Sequence, residues 1–434
     1  METRKGSYVL ATWEGGGSVA PFMTLARKLL AVGHDVHIIS DLCNGDEALA
    51  AGAGFTPWTR APSRPTRLRE DCPIRDWEVA DPGAAIARVF DLQIAGRAQD
   101  YAQDMIALLR QHPADLVVIN ELALGAMMGC EIVGQPFAVL GCGPLLYPLV
   151  DGIPPLGPGL PPARTEAERG QHAEVATMVT GMLDSFLPRY NEQRVSLGLQ
   201  PLAHLHDQNY AAQRFLMGTN PAFDFEPAKL PDFFTYVGAQ LDDNLWSRPW
   251  ESPWTAGDER PLVLASLSTT FMDQAECLRR IVAALATLDV RAVVTLGGVV
   301  RPDEVPGAAN VHVVDSAPHA ALLKDASLVI NHGGHGTIMK AATAGLPQLV
   351  IPHGRDQGDN AVRIAHRGAG LILPRDAEAD AIRDAAARLL GDPAYALAAQ
   401  ALARRIAERD DPGAITREVE RLAATLRGAQ VKVA

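Results

Sequence analysis

Long apolar runs are missing from this sequence, and with them any segment able to span a bilayer, although 47% of its residues are hydrophobic and only 21% charged. A globular chain without integral membrane association is expected. Cysteine is scarce and scattered: Cys43, Cys72, Cys130, Cys142 and Cys277 are odd in number and lack CxxC spacing or partnering histidine pairs. That pattern excludes a disulfide framework, gives no zinc signature, and fits a reducing cytoplasm. Positive charge is also in deficit, with 39 Lys and Arg against 51 Asp and Glu, a formal net charge of −12. A polyanion-binding surface is thereby excluded, no nucleic-acid partner is expected, and any phosphate must be held locally. Internal repeats and low-complexity tracts are absent. The opening METRKGSYVLATW has only a short apolar run that leads into a Gly-rich loop, so it reads as a first strand and not as a signal peptide.

What is present is length and rhythm. The 434 residues exceed what one core organises, which predicts two domains of roughly 200 residues each. Over the first 150 residues, short β-branched runs (YVLAT, DVHIIS, DLVVIN, PFAVL) alternate with helical patterns (PFMTLARKLLAVG, LALGAMMGCEIVG), the βαβ signature of a parallel sheet. Residues 144–162 are proline-rich and predict an extended lid or loop, and residues 165–199 are helical in pattern and suited to shaping a pocket. In the second of these, Met178, Met182, Leu183 and Phe186 recur at helical spacing, which the wall of a pocket and a core stripe explain equally well. A polar, proline-interrupted stretch over 241–260 predicts the linker, with Trp246, Trp250 and Trp254 read as anchors packing it onto a domain rather than as ligand-stacking groups. Alternation resumes with PLVLASLS, a helix from about Met272 to Leu288, then RAVVTLGG, VHVVDS, SLVINHGG, QLVIP and GLILP. The Ala-, Leu-, Arg- and Glu-rich tail predicts two or three closing helices. The fold class is α/β, with two doubly wound domains.

The most informative segment is residues 327–361. A strand ending at Asn331 runs into His332, Gly333, Gly334, His335, Gly336 and Thr337, where a helix begins. Glycines let the backbone approach an anion, and the amides at a helix start meet it with the favourable end of the helix dipole. The histidines and the threonine hydroxyl add donors. A lone HGG would merit little weight, because strand-to-helix turns commonly carry glycine. The polar loop PHGRDQGDNA follows the next strand at the same sheet edge, however, and Asp356 and Gln357 there can hydrogen-bond vicinal hydroxyls. Phosphate and sugar side by side suggest a nucleotide-sugar.

This stretch resembles the donor-binding signature of the UDP-glycosyltransferase-like enzymes of GT-B fold, particularly the bacterial macrolide-type enzymes of natural-product biosynthesis. The resemblance rests on HGGxGT, on Pro352, Asp356, Gln357, Asn360 and Ala361, and on APHAALLKDASLVIN, in the family's order; it is densest over 261–375. It implies two facing Rossmann-like domains, with an acceptor domain over 1–240, a linker over 241–260, a donor domain over 261–410 and a helix over 411–434 packing back on the first. It further implies that His332, Gly334, His335, Gly336 and Thr337 surround the diphosphate, that Asp356 and Gln357 hold the transferred sugar, and that Asn360 of the same motif belongs to the donor-binding set. Ala317, Pro318 and His319 would pack the base, with Ser268 and Thr269 in a neighbouring turn where serine replaces the usual glycine. The implied activity is inverting, metal-independent hexosyl transfer from a UDP- or dTDP-sugar to a small hydrophobic or phenolic acceptor, linked through oxygen or carbon. Beyond those two small-molecule partners no cofactor is implied.

An alcohol is a poor nucleophile until its proton has somewhere to go, and the family supplies a His–Asp dyad for that purpose. Here the histidine position, in WEGGGSVAP, is Ser18 and the aspartate position is Asn120. Glu14 or Glu121 could replace the base, the acceptor could be acidic enough to need none, or Ser18 and Asn120 could orient it or a relaying water. His34 and His37 are assigned to structure, and Asp41 and Cys43 could line the acceptor cleft. A transferase acting on a lipid-linked saccharide and a non-catalytic nucleotide-sugar-binding or auxiliary protein stand as alternatives. A dinucleotide oxidoreductase is disfavoured because Pro21 interrupts the first loop.

Overall fold

The computed structural model describes residues 5–242, 250–255 and 257–433. The first sheet has strands β1 (Ser7–Ala11), β2 (Asp35–Ser40), β3 (Gly54–Pro57), β4 (Leu116–Asn120), β5 (Phe137–Gly141), β6 (Phe215–Met217) and β7 (Phe234–Tyr236), in the order β3-β2-β1-β4-β5-β6-β7. The second has β8 (Leu262–Ser266), β9 (Arg291–Thr295), β10 (Val311–Val314), β11 (Ala326–Asn331), β12 (Gln348–Val350) and β13 (Gly370–Ile372), ordered β10-β9-β8-β11-β12-β13. Every pairing within these sheets is parallel. Strands β4, β5 and β8 are buried at all positions, as expected where helices cover both faces, which explains their unbroken apolar sequences. Two Rossmann-like sheets of this kind constitute the GT-B fold.

In each sheet the strand order reverses beside the first strand, between β1 and β4 and between β8 and β11. Loops leaving a switch point in opposite directions open a crevice at the carboxyl edge. The loops after β1, β4, β8 and β11 therefore decide where a ligand can bind.

The helix Ala20–Ala31 starts with Pro21 in its first turn, where the fixed φ of proline suits a helix start. It buries Phe22, Leu25, Ala26 and Leu29 in one cluster with Tyr8, Leu10, Leu116 and Val118. Ile415, Val419, Leu422 and Ala423 of the last helix, Ala414–Val433, join that same cluster, so the end of the chain packs on the first sheet. The two halves are also tied by ion pairs. Arg363 meets Asp224 through Nε at 2.9 Å and Nη2 at 2.7 Å, Arg355 meets Asp76 at 3.0 Å, and Arg69 meets Glu304 at 3.2 Å.

The proline-rich segment 144–162 carries neither helix nor strand, and residues 165–199 form the helices Glu166–Asp184 and Leu187–Ser196. Strands β3, β6 and β7 escaped the sequence pattern, the last two because three residues show no period. The helix expected from Met272 begins later, at Ala275. Gln274 explains the delay: its amide accepts from the Met272 amide at 2.7 Å and donates to the carbonyls of Ser268 and Thr270, fixing the preceding loop. Trp246 lies outside the described residues. Trp250 and Trp254 pack at 6.3 Å between ring centres on a cluster that includes Leu262, Leu264 and Leu322.

Candidate active site

A cleft of about 480 Å³ lies between the carboxyl edges of the two sheets. Its floor is the pair of switch-point loops. Residues Thr12–Val19 after β1 approach the loop after β8 so closely that a Cβ on Gly16, whose φ is +74°, would stand 2.4 Å from Thr270 Oγ1. Only glycine fits there.

On the second-sheet side, Gly333 turns the chain with φ +94°, and a Cβ at that position would stand 2.6 Å from the carbonyl oxygen of Gln357. Asn331 Oδ1 accepts from the Gly333 amide at 2.8 Å, and Asn360 Nδ2 donates to the Gly333 carbonyl at 2.9 Å and to Asp356 Oδ2 at 2.8 Å. One asparagine thus braces both the glycine turn and the carboxylate beside it. Gly334 precedes the helix His335–Thr343 with no side chain capping its first turn, so the initial amides face the cleft with the positive end of the helix dipole. The His332 ring lies over Gly334, where a Cβ would come within 2.5 Å of its Nε2, and His332 Nδ1 is buried without a hydrogen-bond partner.

Burial, with lesser contributions from His353 and Arg355, pushes the His332 pKa down to about 3. The imidazole is neutral at every ordinary pH. A dissociation constant for a nucleotide-sugar, whose diphosphate is fully ionised, is expected to stay level between pH 5 and 8, as read by calorimetric titration. A fall in affinity centred near the ordinary imidazole pKa, and abolished by His332→Gln, would contradict a neutral His332.

Around the rest of this half, His319 Nε2 lies 3.1 Å from Ser266 Oγ, which accepts from Thr295 Oγ1 at 2.9 Å. Gln357 lines the cleft, but its amide is engaged within the protein: Oε1 accepts from the His353 amide at 2.7 Å, and Nε2 lies 3.2 Å from Met272 Sδ. Burial raises the Asp356 pKa.

The first-sheet side is different in character. Ile74, Ile86, Val89, Phe90, Ile94, Leu122, Leu146, Tyr147, Val179, Met182 and Leu183 line it, drawn from four separate stretches of chain. Met178, on the same sequence stripe, is 67% exposed and stands outside the cleft. Glu14, Ser18, Asn120 and Glu121 also line this half. Glu14 is held on both oxygens, Oε1 by the Gly16 amide at 3.1 Å and Oε2 by Arg67 at 3.3 Å. Asn120 Oδ1 accepts from Trp13 Nε1 and the Leu122 amide, and Nδ2 contacts Cys142 Sγ at 3.3 Å.

Fifteen of the residues singled out in sequence therefore meet in one cleft: Glu14, Ser18, Asn120, Glu121, Ser268, Thr269, Ala317, His319, His332, Gly334, His335, Gly336, Thr337, Asp356 and Gln357. Two do not line it. Asn360 is fully buried beneath the glycine turn, where it supports and does not contact, and Pro318 caps the short helix His319–Leu322. His335 lines the cleft while its Nε2 hydrogen-bonds Thr219 Oγ1 at 2.9 Å. Asp41 and Cys43 stay outside; Asp41 is buried, accepting from the amides of Glu14 and Arg64 at 2.7 and 2.8 Å. His34 and His37 are structural, His34 accepting from the Gly6 amide and His37 stacking on His112.

Lys340 was missed in sequence although it lies one helical turn after Gly336, a spacing that puts both on one face. The apolar wall carried no motif at all. Among the described residues no group of three or more His, Cys, Asp and Glu side chains could hold a metal ion, and no helix is long and apolar enough to cross a membrane.

The family model described as "Erythromycin biosynthesis protein CIII-like, C-terminal domain" matches residues 279–422. The chain is 27% identical over 410 residues to 4'-demethylrebeccamycin synthase of Lentzea aerocolonigenes, covering 93% of this chain and 96% of that protein. It is 32% identical over 184 residues to the TDP-daunosamine transferase DnrS of Streptomyces peucetius, covering 40% of this chain and 42% of that one. Among solved structures, the kitacinnamycin glycosyltransferase superposes with a TM-score of 0.72 at 22% identity, covering 97% of this chain and all of that chain (100%), which agrees in fold.

Proposed function

We propose that this chain, a GT-B glycosyltransferase related to the natural-product enzymes that use nucleotide-sugars, moves a hexose from a UDP- or dTDP-sugar to a small apolar acceptor by a single inverting displacement that needs no metal. The observation that carries the reading is a single cleft with two chemically different ends, uncapped helix amides at one and an apolar wall at the other. In this reading the amides at the start of His335–Thr343, the Thr337 hydroxyl and neutral His332 receive the diphosphate. Ala317 and His319 lie against the base, with Ser268 and Thr269 beside it, and Asp356 and Gln357 face the sugar. The relative named for a TDP-sugar supports thymidine diphosphate among the two nucleotides.

Displacement at the anomeric carbon leaves negative charge on the diphosphate. Dipoles already aimed at that position stabilise it without reorganising, and so take over the part a divalent cation would otherwise play. The apolar wall favours an acceptor with extended hydrophobic surface, its nucleophilic oxygen or carbon turned toward the sugar. Two measurements test this directly. The rate is expected to be unchanged by excess EDTA, and a donor of α configuration should give a β-linked product by its NMR coupling constants. Loss of rate on chelation or retention of configuration would overturn the corresponding part.

A further inference from the structure

Resting on the glycosyltransfer reading above, we infer that Glu121 is the catalytic base, taking the acceptor's proton in place of the His–Asp pair whose positions hold Ser18 and Asn120. The geometry separates the four polar residues of the acceptor half. Both oxygens of Glu14 are spoken for, by Arg67 and by the backbone of its own loop. Asn120 is held by Trp13, Leu122 and Cys142, and an amide cannot take up a proton at ordinary pH. A Ser18 hydroxyl could relay a proton but not keep one. Glu121 Oε1 accepts from the Cys142 amide at 3.1 Å and the Leu146 amide is turned toward the same carboxyl, while Oε2 is buried and makes no hydrogen bond of good geometry. Its residue is 3% exposed and its backbone carbonyl accepts from Tyr147 Oη at 3.0 Å, so the side chain starts from a rigid strand end.

The position is also right. Glu121 follows β4 directly, next to Leu122 and against Tyr147 of the apolar wall, and it lies close enough to Asp356 for that carboxyl's charge to act on it across the cleft. It therefore sits between the acceptor wall and the residue assigned to the sugar. The step balances simply. The acceptor's O–H (or an activated ring C–H) gives its proton to Glu121 Oε2, its electron pair forms the bond to the anomeric carbon, and the bond from that carbon to the diphosphate breaks with its electrons leaving on the nucleotide. Glu121 then releases the proton to solvent.

The groups facing Glu121 are Asp356 from the opposite half, Cys142 after β5, and Tyr147 in the following loop; His335, neutral by burial, lies beyond Cys142. None brings a positive charge. Burial foremost, with the Asp356 charge, raises the Glu121 pKa to about 8. Only the ionised carboxylate can accept a proton, so the rate with a weakly acidic acceptor should climb with pH through about 8 and level off above it.

The test compares pH profiles of kcat for wild type and Glu121→Gln, which keeps size and can keep the Cys142 contact, using dTDP-glucose or UDP-glucose and phenols of graded acidity. The expected loss is on the order of 100- to 10,000-fold in kcat for the least acidic acceptor, shrinking as the phenol becomes more acidic. The climb with pH should vanish, and affinity for the nucleotide-sugar should hold. Should Glu121→Gln not fold, Glu121→Asp should keep a pH-dependent rate with a reduced plateau. A Gln variant with the wild-type profile, or one whose deficit is the same for every phenol, overturns the assignment while leaving glycosyl transfer intact. A wild-type protein that transfers sugar to no acceptor fails the parent reading and this one together.

Discussion

Replacing Gly333 by alanine is expected to lower nucleotide-sugar affinity on the order of 100-fold while leaving both sheets folded. Two penalties combine at this residue. Its φ of +94° is one that residues with a Cβ rarely adopt, and the added Cβ would stand 2.6 Å from the Gln357 carbonyl oxygen and 2.9 Å from the Gln357 Cβ. Neither neighbour can yield cheaply, because Gln357 opens the helix Gln357–Ala365 and its amide is pinned to His353. Relief must come from the turn itself, which moves the start of His335–Thr343 and breaks the brace from Asn360. Gly336→Ala is the informative comparison: nothing lies within 4 Å of a Cβ there, so its backbone donors should stay in place. Calorimetric titration with dTDP and UDP reads both variants. Equal affinities for wild type and Gly333→Ala would remove the turn from donor binding.

The second large effect is expected at the seam between the two halves. Arg363 and Asp224 form a two-pronged pair with side chains 3% and 0% exposed, and Arg363 also lies 4.7 Å over the Phe225 ring. Breaking the pair from the Arg363 side leaves the Asp224 carboxylate buried with neutral donors alone, the Phe225 amide at 2.8 Å and the Tyr236 hydroxyl at 3.0 Å. Arg363→Met should therefore destabilise the protein by about 3–5 kcal/mol in denaturant unfolding. Adding Asp224→Asn, which removes the stranded charge, should recover a large part of that loss. If the double variant is as unstable as the sum of the two single ones, the pair is not coupled and the seam is held by other contacts. Because Arg363 follows the loop of Asp356 and Gln357, to which the proposal assigns the sugar, the same variant should also weaken donor binding.

How much of this could be read from the residues in order depends on how the chain delivers them. The second-sheet half of the cleft arrives almost in one piece: a strand, a glycine turn and a helix are consecutive, and the loop of Asp356 follows within the same βαβ unit, so spacing alone gathers them. What spacing could not tell is which way a side chain faces. Asn360 belongs to the same motif as Asp356 yet lies beneath the turn, and Gln357 lines the cleft with its amide already engaged. The first-sheet half is assembled from distant segments whose apolar residues look like any core stripe; Met182 enters the cleft and Met178, four residues earlier, does not. Glu14 and Glu121 were equal candidates in sequence because both flank switch-point loops. Only packing separates them, by placing Arg67, more than fifty residues further along, on one and no hydrogen bond of good geometry on the other's outer oxygen.

Union of a nucleotide-sugar with an apolar acceptor in one cleft is read out by incubating the purified protein with dTDP-glucose and UDP-glucose and a panel of phenolic and aliphatic acceptors, with products followed by mass spectrometry. The expected result is one hexose added to an apolar acceptor, one nucleoside diphosphate released for each, and sharply reduced turnover in Gly333→Ala at donor concentrations that just saturate wild type. Tight, Gly333-dependent binding of the nucleotide-sugar with no hexose passed to any acceptor would contradict it, and would make this chain a nucleotide-sugar-binding protein instead.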